Sequence, residues 1–200
     1  MEVNNKTAPV TGQQDQNTIS LDLMNRMKLH GMAEAFRESL AGTTPQSMTA
    51  DTFLSMLLAR EWDYRAQAAI ARLTKNAAFR YKAYIEQVDY ATNRGLDRNQ
   101  MERLATLDFV HKAQNLFITG SSGTGKSYLA CALGQEACKR GFRTFYANAP
   151  KLFGALKVAK VKGTLETELK KIERCQLLIL DDLFIVPLDA KERPILLEII

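Results

Sequence analysis

Leu116-Phe117-Ile118-Thr119-Gly120-Ser121-Ser122-Gly123-Thr124-Gly125-Lys126-Ser127 decides how the rest of this 200-residue chain is read. The first four residues predict a short apolar strand, and a helix is predicted from about Gly125 to Arg140. Between them the sequence matches G-x-x-x-x-G-K-S/T, a pattern that carries a mechanism when a strand precedes it and a helix follows. Glycines let the backbone turn tightly and approach an anion without an obstructing Cβ. The loop amides and the helix N-terminus then offer donors and positive dipole to phosphate. Gly120, Ser121, Ser122, Gly123, Thr124, Gly125, Lys126 and Ser127 are therefore the candidate residues for a nucleoside triphosphate, ATP. Lys126 reaches the β- and γ-phosphates and assists catalysis, and the Ser127 hydroxyl is a ligand for Mg²⁺.

Toward the C-terminus, Gly141 suits the position just past the helix. Arg143–Ala147 reads as a second strand, with Asn148 capping the next helix and Pro150 in its first turn. Leu177–Leu180 is a third strand without polar alternation, as expected when both sheet faces are covered. Strands alternating with helices predict an α/β fold with a parallel sheet. Asp181 and Asp182 follow the third strand directly, 54 residues beyond Ser127. Ligands of open α/β sheets sit at the carboxyl ends of the strands. Asp181 would hold Mg²⁺ through water, and Asp182 would polarise an attacking water, a role of about 10²–10⁴ in rate. The alternative is an Asp pair that caps a turn.

Toward the N-terminus the texture is helical. Residues 1–18 are polar and are expected to be a disordered tail. A helix is predicted from Ser20 as N-cap, with Met24, Met27, Met32, Phe36 and Leu40 as a core stripe. Gly42–Gln46 interrupts it, a long helix is predicted over Thr49–Thr74 with Glu61 and Arg65 as an i,i+4 pair, and a third covers Asn76–Gln87. Asn93-Arg94-Gly95 reads as a turn. The expected domains are a tail at 1–18, a helical domain at 19–95, a linker at 96–110 and a nucleotide-binding domain at 111–200.

Composition limits the partners. Lys and Arg number 27 against 22 Asp and Glu, a net charge of +5, and the whole surplus lies in residues 111–200. That balance permits a polyanion. Arg72, Lys75, Arg80 and Lys82, interleaved with Phe79, Tyr81 and Tyr84, suit backbone contact with double-stranded DNA, or else a solvated helix face. Lys151, Lys157, Lys160, Lys162, Lys170 and Lys171 form a second basic stretch open to the same two readings. Cys131, Cys138 and Cys175 lack C-x-x-C spacing and read as small buried apolar residues in a reducing compartment. No apolar run approaches the ~18 residues of a membrane span, so no membrane partner is expected and the localisation is read as cytoplasmic.

Together these features resemble the IstB-like family, ATPase helpers of insertion-sequence transposition that are similar to DnaC-type helicase loaders. The resemblance covers roughly residues 20–200. It rests on LLAREWDYRAQAAIARLTKNAAFR, LATLDFVHKAQNLFITG, GSSGTGKSYLACALG and LLILDDL. It implies a P-loop AAA+ fold for residues 111–200, ATP-dependent homo-oligomeric assembly on DNA, and a transposase as partner. A replicative helicase would be the partner under the loader reading, and a non-catalytic ATP-binding scaffold on DNA is the reading from another class. Two departures stand out. Phe184 stands where the family commonly has Gly, two residues after the second acid. The sequence also stops at Ile200 within an expected helix (ERPILLEII), before the segments that supply AAA+ sensor, arginine finger and lid. That predicts a C-terminally truncated, incomplete AAA+ sheet and very weak hydrolysis.

Overall fold

The computed structural model describes residues 11–42, 48–91, 95–185 and 187–199. The expected turn at Asn93-Arg94 and most of the Gly42–Gln46 break lie outside them. Contacts divide the chain between Ala68 and Ala69.

The first unit contains α1 (Thr11–Arg26), α2 (His30–Leu40) and the first part of α3 (Ala50–Ala77). Helix α1 begins at Thr11, so residues 11–18 are helical rather than an irregular tail, and Ser20 lies inside the helix instead of capping it. Polar composition removes apolar burial from such a segment but not its backbone hydrogen bonding. The core stripe is also revised: Met27 and Leu40 are exposed, and Gly31, Ala33 and Ala35 are what α2 buries. Small residues win because α2 lies against α3 at backbone distance. A Cβ on Gly31 would meet the Arg60 carbonyl at 2.5 Å and Tyr64 Cβ at 2.7 Å.

This approach places Glu61 at the start of α2. Its N-cap residue, Leu29, has no side-chain acceptor to offer. Glu61, 6% exposed, takes its place: Gly31 and Met32 amides donate to its Oε2 at 2.8 and 3.2 Å, and Arg65 Nε donates to Oε1 at 2.7 Å. The carboxylate satisfies orphan donors at the positive end of the helix dipole. Burial pushes the Glu61 carboxyl up, but the Arg65 guanidinium and the two amides outweigh it and hold it below the usual glutamate value.

The second unit carries η1 (Ile85–Gln87), α4 (Arg98–Ala105), α5 (Asp108–His111), α6 (Lys126–Lys139), β1 (Thr144–Asn148), α7 (Ala149–Val161), α8 (Leu165–Glu173), β2 (Leu177–Asp181) and α9 (Glu192–Ile199). The expected linker at 96–110 thus holds α4 and the start of α5, with Asp97 capping α4. Strands β1 and β2 pair in parallel, Thr144 opposite Leu177 through Asn148 opposite Asp181. Side chains alternate across this sheet. Phe145, Leu178 and Leu180 pack on a core of Phe153, Leu156, Leu169, Ile172 and Ile195 from α7–α9. Tyr146 and Ile179 pack with Cys131 and Ala132 of α6 and with Phe79 and Ala83. A Cβ on Gly134 would meet Phe79 and Ile179 at 2.5 and 2.8 Å, so the glycine sets how closely α6 lies on the sheet. Cys131 and Cys138 are buried, as read, whereas Cys175 is only half-buried.

The C-terminus of α6 closes as a Schellman motif. Phe142 N–H reaches the Ala137 carbonyl and Gly141 N–H the Cys138 carbonyl, with Gly141 at φ 87°. Asn148 Oδ1 accepts from the Lys151 amide at the start of α7. The α/β class with a parallel sheet, flanking helices and a preceding helical region is therefore as the sequence predicts.

Two expected elements are absent. Leu116–Thr119 joins no ladder, and Phe117 is 74% exposed. An apolar run becomes a strand only beside a neighbour, and the described residues give it none. The helix expected over Asn76–Gln87 stops at Ala77, with Ala78 left-handed at φ 56°. The chain turns there so that Phe79 and Ala83 can enter the α6 core, a case of packing overriding helix propensity.

Glu61→Ala is expected to destabilise α1–α3 by about 2–4 kcal/mol, because it strands helix-terminal amides beneath α3. Arg65→Ala, which removes an exposed partner, should cost no more than about 1 kcal/mol. Because the folded pKa of Glu61 is depressed, its contribution is present above the unfolded value near ~4.3 and is lost as pH falls through the folded value. Circular dichroism melts of the three proteins between neutral and acidic pH check both statements.

Candidate active site

The phosphate-loop pattern folds into an open turn ahead of α6. Gly120, Gly123 and Gly125 have φ of 147°, 79° and 88°, conformations that side chains with a Cβ rarely adopt. Gly125 is the N-cap residue of α6 and provides no side-chain acceptor, so the first amides of the helix face the loop unclaimed by a cap. Inside the loop the Ser121 carbonyl accepts from Thr124 Oγ1 at 2.9 Å and from Lys126 Nζ at 2.6 Å. The ammonium is thereby held over the turn that an anion would enter.

The loop is tied to the end of β2. Ser127 Oγ donates to Asp181 Oδ1 at 2.9 Å, across 54 residues of sequence. Tyr146 Oη donates to Asp181 Oδ2 at 2.5 Å, and the Asp182 amide donates to Asp181 Oδ1 at 3.1 Å. Burial first, and the Asp181 carboxylate second, push the Tyr146 phenol above its usual range, which keeps it a donor. Asp182 Oδ2 accepts from Asn148 Nδ2 at 2.7 Å. Parallel register explains the grouping: Tyr146 and Asn148 on β1 alternate onto the same side as Ile179 and Asp181 on β2.

Arg80 completes the cluster, with Nη1 3.7 Å from Asp181 Oδ2 and 4.0 Å from Asp182 Oδ2. Its guanidinium also lies over the Tyr81 ring, 5.3 Å from the centroid. The four cations grouped as a DNA contact are thus divided. Arg80 stands at the carboxylates. Arg72 lines a cavity of about 870 Å³ with Arg143, Lys162, Lys171 and Arg174. Lys75 and Lys82 are exposed. In the second basic stretch Lys157 is paired with Asp189 and Glu192, Lys170 with Glu166 and Lys171 with Glu168, so part of its charge is already neutralised.

Mg²⁺ fits this donor set. It prefers hard oxygen ligands, keeps several waters, and is commonly bound by one or two protein oxygens plus substrate phosphate. Ser127 Oγ and Asp181 Oδ1 supply two such oxygens side by side. Among the described residues no group of three or more His, Cys, Asp and Glu forms an all-protein metal cage.

Sequence reasoning missed Tyr146 and the second role of Asn148, which it read only as a helix cap. The usable signal was period-two alternation in a strand expected to run parallel to Leu177–Leu180. It places those two side chains on one face at the carboxyl end of the sheet.

The turn after β2 is strained. Asp182 and Phe184 have φ of 60° and 65°, and Ile185 N–H closes on the Asp182 carbonyl at 3.4 Å. The third position of such a turn favours Gly when φ is positive. Phe184 occupies it while 62% exposed, so little packing offsets the conformation.

A family model described as IstB-like ATP binding protein matches residues 22–200. The chain is 39% identical over 181 residues to a Sinorhizobium fredii protein named for an insertion sequence and ATP binding, covering 90% of this chain and 74% of that one. A similarly named Pseudomonas fluorescens protein is 34% identical over 182 residues, 90% of this chain and 79% of its own. One from Pseudomonas aeruginosa is 30% identical over 170 residues, 85% and 64% respectively. No helix among the described residues is long and apolar enough to cross a membrane.

Phe184→Gly is expected to raise stability by up to about 1 kcal/mol, since relief of a left-handed residue exceeds the added chain entropy. That corresponds to roughly 2–4 °C in Tm for a chain of this size. Phe184→Ala keeps the Cβ and should show no gain. Calorimetric melts of the two variants decide it.

Proposed function

The chain belongs to the family of IstB-like ATP-binding proteins, and we propose that it acts as an AAA+ ATPase that assembles on double-stranded DNA and assists the transposase of its insertion sequence. The observation that carries the ATPase half is the joined pair of sites: glycine loop and Lys126 on one side, Asp181 and Asp182 on the other, linked through Ser127. The relatives' names support the insertion-sequence half.

The loop amides and the N-terminus of α6 bind the phosphates, and Lys126 exchanges the Ser121 carbonyl for phosphate oxygens. Ser127 and Asp181 would hold Mg²⁺, which neutralises charge on the β- and γ-phosphate oxygens. Tyr146, protonated and donating, fixes the orientation of the Asp181 carboxylate. Asp182 orients and polarises the attacking water, and Asn148 sets the position of its carboxylate through Oδ2.

With ATP and Mg²⁺ at about a hundredfold excess over Kd, binding should add about 2.7 kcal/mol of apparent stability, read as a Tm rise of several degrees. Lys126→Ala should abolish the shift. Asp182→Asn should keep it while lowering phosphate release at least about 100-fold. A wild-type chain that shows no ATP-dependent shift overturns the reading.

DNA contact is proposed through Arg72, Lys75 and Lys82; Arg80 is left out because it stands at the Asp181 and Asp182 carboxylates. Anisotropy of a labelled random duplex across a salt series measures it. Replacing these three with Ala should flatten the log–log salt slope by up to about 2.7 units, roughly 0.9 for each phosphate released. An unchanged slope removes these residues from the interface.

A further inference from the structure

Arg80 is the cation at the Asp181–Asp182 pair, and neither the phosphate loop nor DNA contact accounts for it. It lies in the segment that leaves α3, just after the left-handed Ala78. Phe79 and Ala83, on either side of it, pack into the core between α6 and the sheet. Those two anchors fix the backbone, and the guanidinium rests over the Tyr81 ring, 5.3 Å from the centroid. From there Nη1 stands 3.7 Å from Oδ2 of Asp181 and 4.0 Å from Oδ2 of Asp182. These are ion-pair distances rather than hydrogen bonds. Among the described residues no other cation pairs with either acid.

The two oxygens of Asp181 therefore face different surroundings. Oδ1 accepts from Ser127 on the loop side, and Oδ2 accepts from Tyr146 with Arg80 next to it. Adjacent carboxylates repel one another, and two of them beside a hydroxyl form a donor set that a divalent cation can use. A guanidinium shared between them cancels one negative charge without contacting Oδ1. We propose that Arg80 keeps the Asp181–Asp182 pair from holding a divalent cation by itself. Metal is then retained only where phosphate oxygens add to Ser127 and Asp181, which ties its entry to the nucleotide. The proposal rests on the metal-binding half of the reading above. A fixed cation within ~4–6 Å lowers the affinity of a carboxylate for a proton by about 10- to 1,000-fold, and it acts in the same sense on a metal ion. The Arg80 side chain is 52% exposed, so solvent and salt screen its charge and place the effect at the lower end, about tenfold.

Mn²⁺, which suits the same oxygen ligands as Mg²⁺, is the probe, because the resonance signal of the free ion falls as it binds. Without nucleotide, the wild-type chain and Arg80→Lys should bind Mn²⁺ equally weakly. Arg80→Gln should bind at least about tenfold tighter, and Arg80→Glu tighter still. Adding Asp181→Asn to Arg80→Gln should remove the gain, which locates it at the pair. The expected order follows charge, so any two folded variants of different charge decide the matter, and circular dichroism checks the fold of each. An affinity indifferent to the charge at residue 80 overturns the proposal, and so does a gain that survives Asp181→Asn. Arg80→Lys behaving like Arg80→Gln also overturns it, since that marks a role in packing rather than charge. With ATP present, the wild-type chain should bind Mn²⁺ at least about tenfold tighter than without it. A wild-type chain to which ATP brings no Mn²⁺ overturns the ATPase reading instead, and the nucleotide-free series still decides the role of Arg80.

Discussion

A carboxylate has two oxygens, and at Asp181 both are claimed by elements far apart in sequence. Oδ1 takes the Ser127 hydroxyl at the start of α6, and Oδ2 takes the Tyr146 phenol on β1. With its side chain only 12% exposed, Asp181 would be expensive to bury alone; these partners make the position tenable. The phosphate loop, the strand end and the neighbouring strand are thereby held to one point. What brings them within reach is packing: the parallel register sets Asn148 beside Asp181, and Gly134 lets α6 lie close to the sheet.

The same end of the sheet carries the backbone strain. Asp182 and Phe184 both adopt positive φ in the turn that leaves β2. Asp tolerates this conformation through its short polar side chain, whereas Phe does not. The conformation at Asp182 accompanies the hydrogen bond from Asn148 that positions its carboxylate. Backbone strain of this kind clusters at active sites.

The helical unit solves a different problem. Glu61 gathers the unsatisfied amides of α2 and an arginine into one buried cluster, so the polar demands of α2 and α3 are met internally. Its apolar demands are not. Leu54, Leu58 and Trp62 remain exposed on α3. A unit this small, built on alanine and glycine contacts, buries little apolar area.

By itself the sequence marked Gly120, Gly125, Lys126 and Ser127 as a candidate phosphate loop, because that pattern is read from local backbone geometry and adjacent side chains. It also determined the parallel α/β class, since alternating elements and the unbroken Leu177–Leu180 run leave few other arrangements. Both kinds of signal are short-range, and a short-range signal survives in a linear string. Tertiary structure alone decided which side chains meet Asp181 and Asp182. Tyr146 and Asn148 reach the site through strand register, and Arg80 through the turn at Ala78, and both depend on packing against distant residues. It also decided that Leu116–Thr119 stays outside the ladder and that Glu61 caps α2 rather than merely pairing with Arg65. Strand pairing, helix approach and burial depend on residues distant in sequence, so their outcome becomes visible only when the chain is packed.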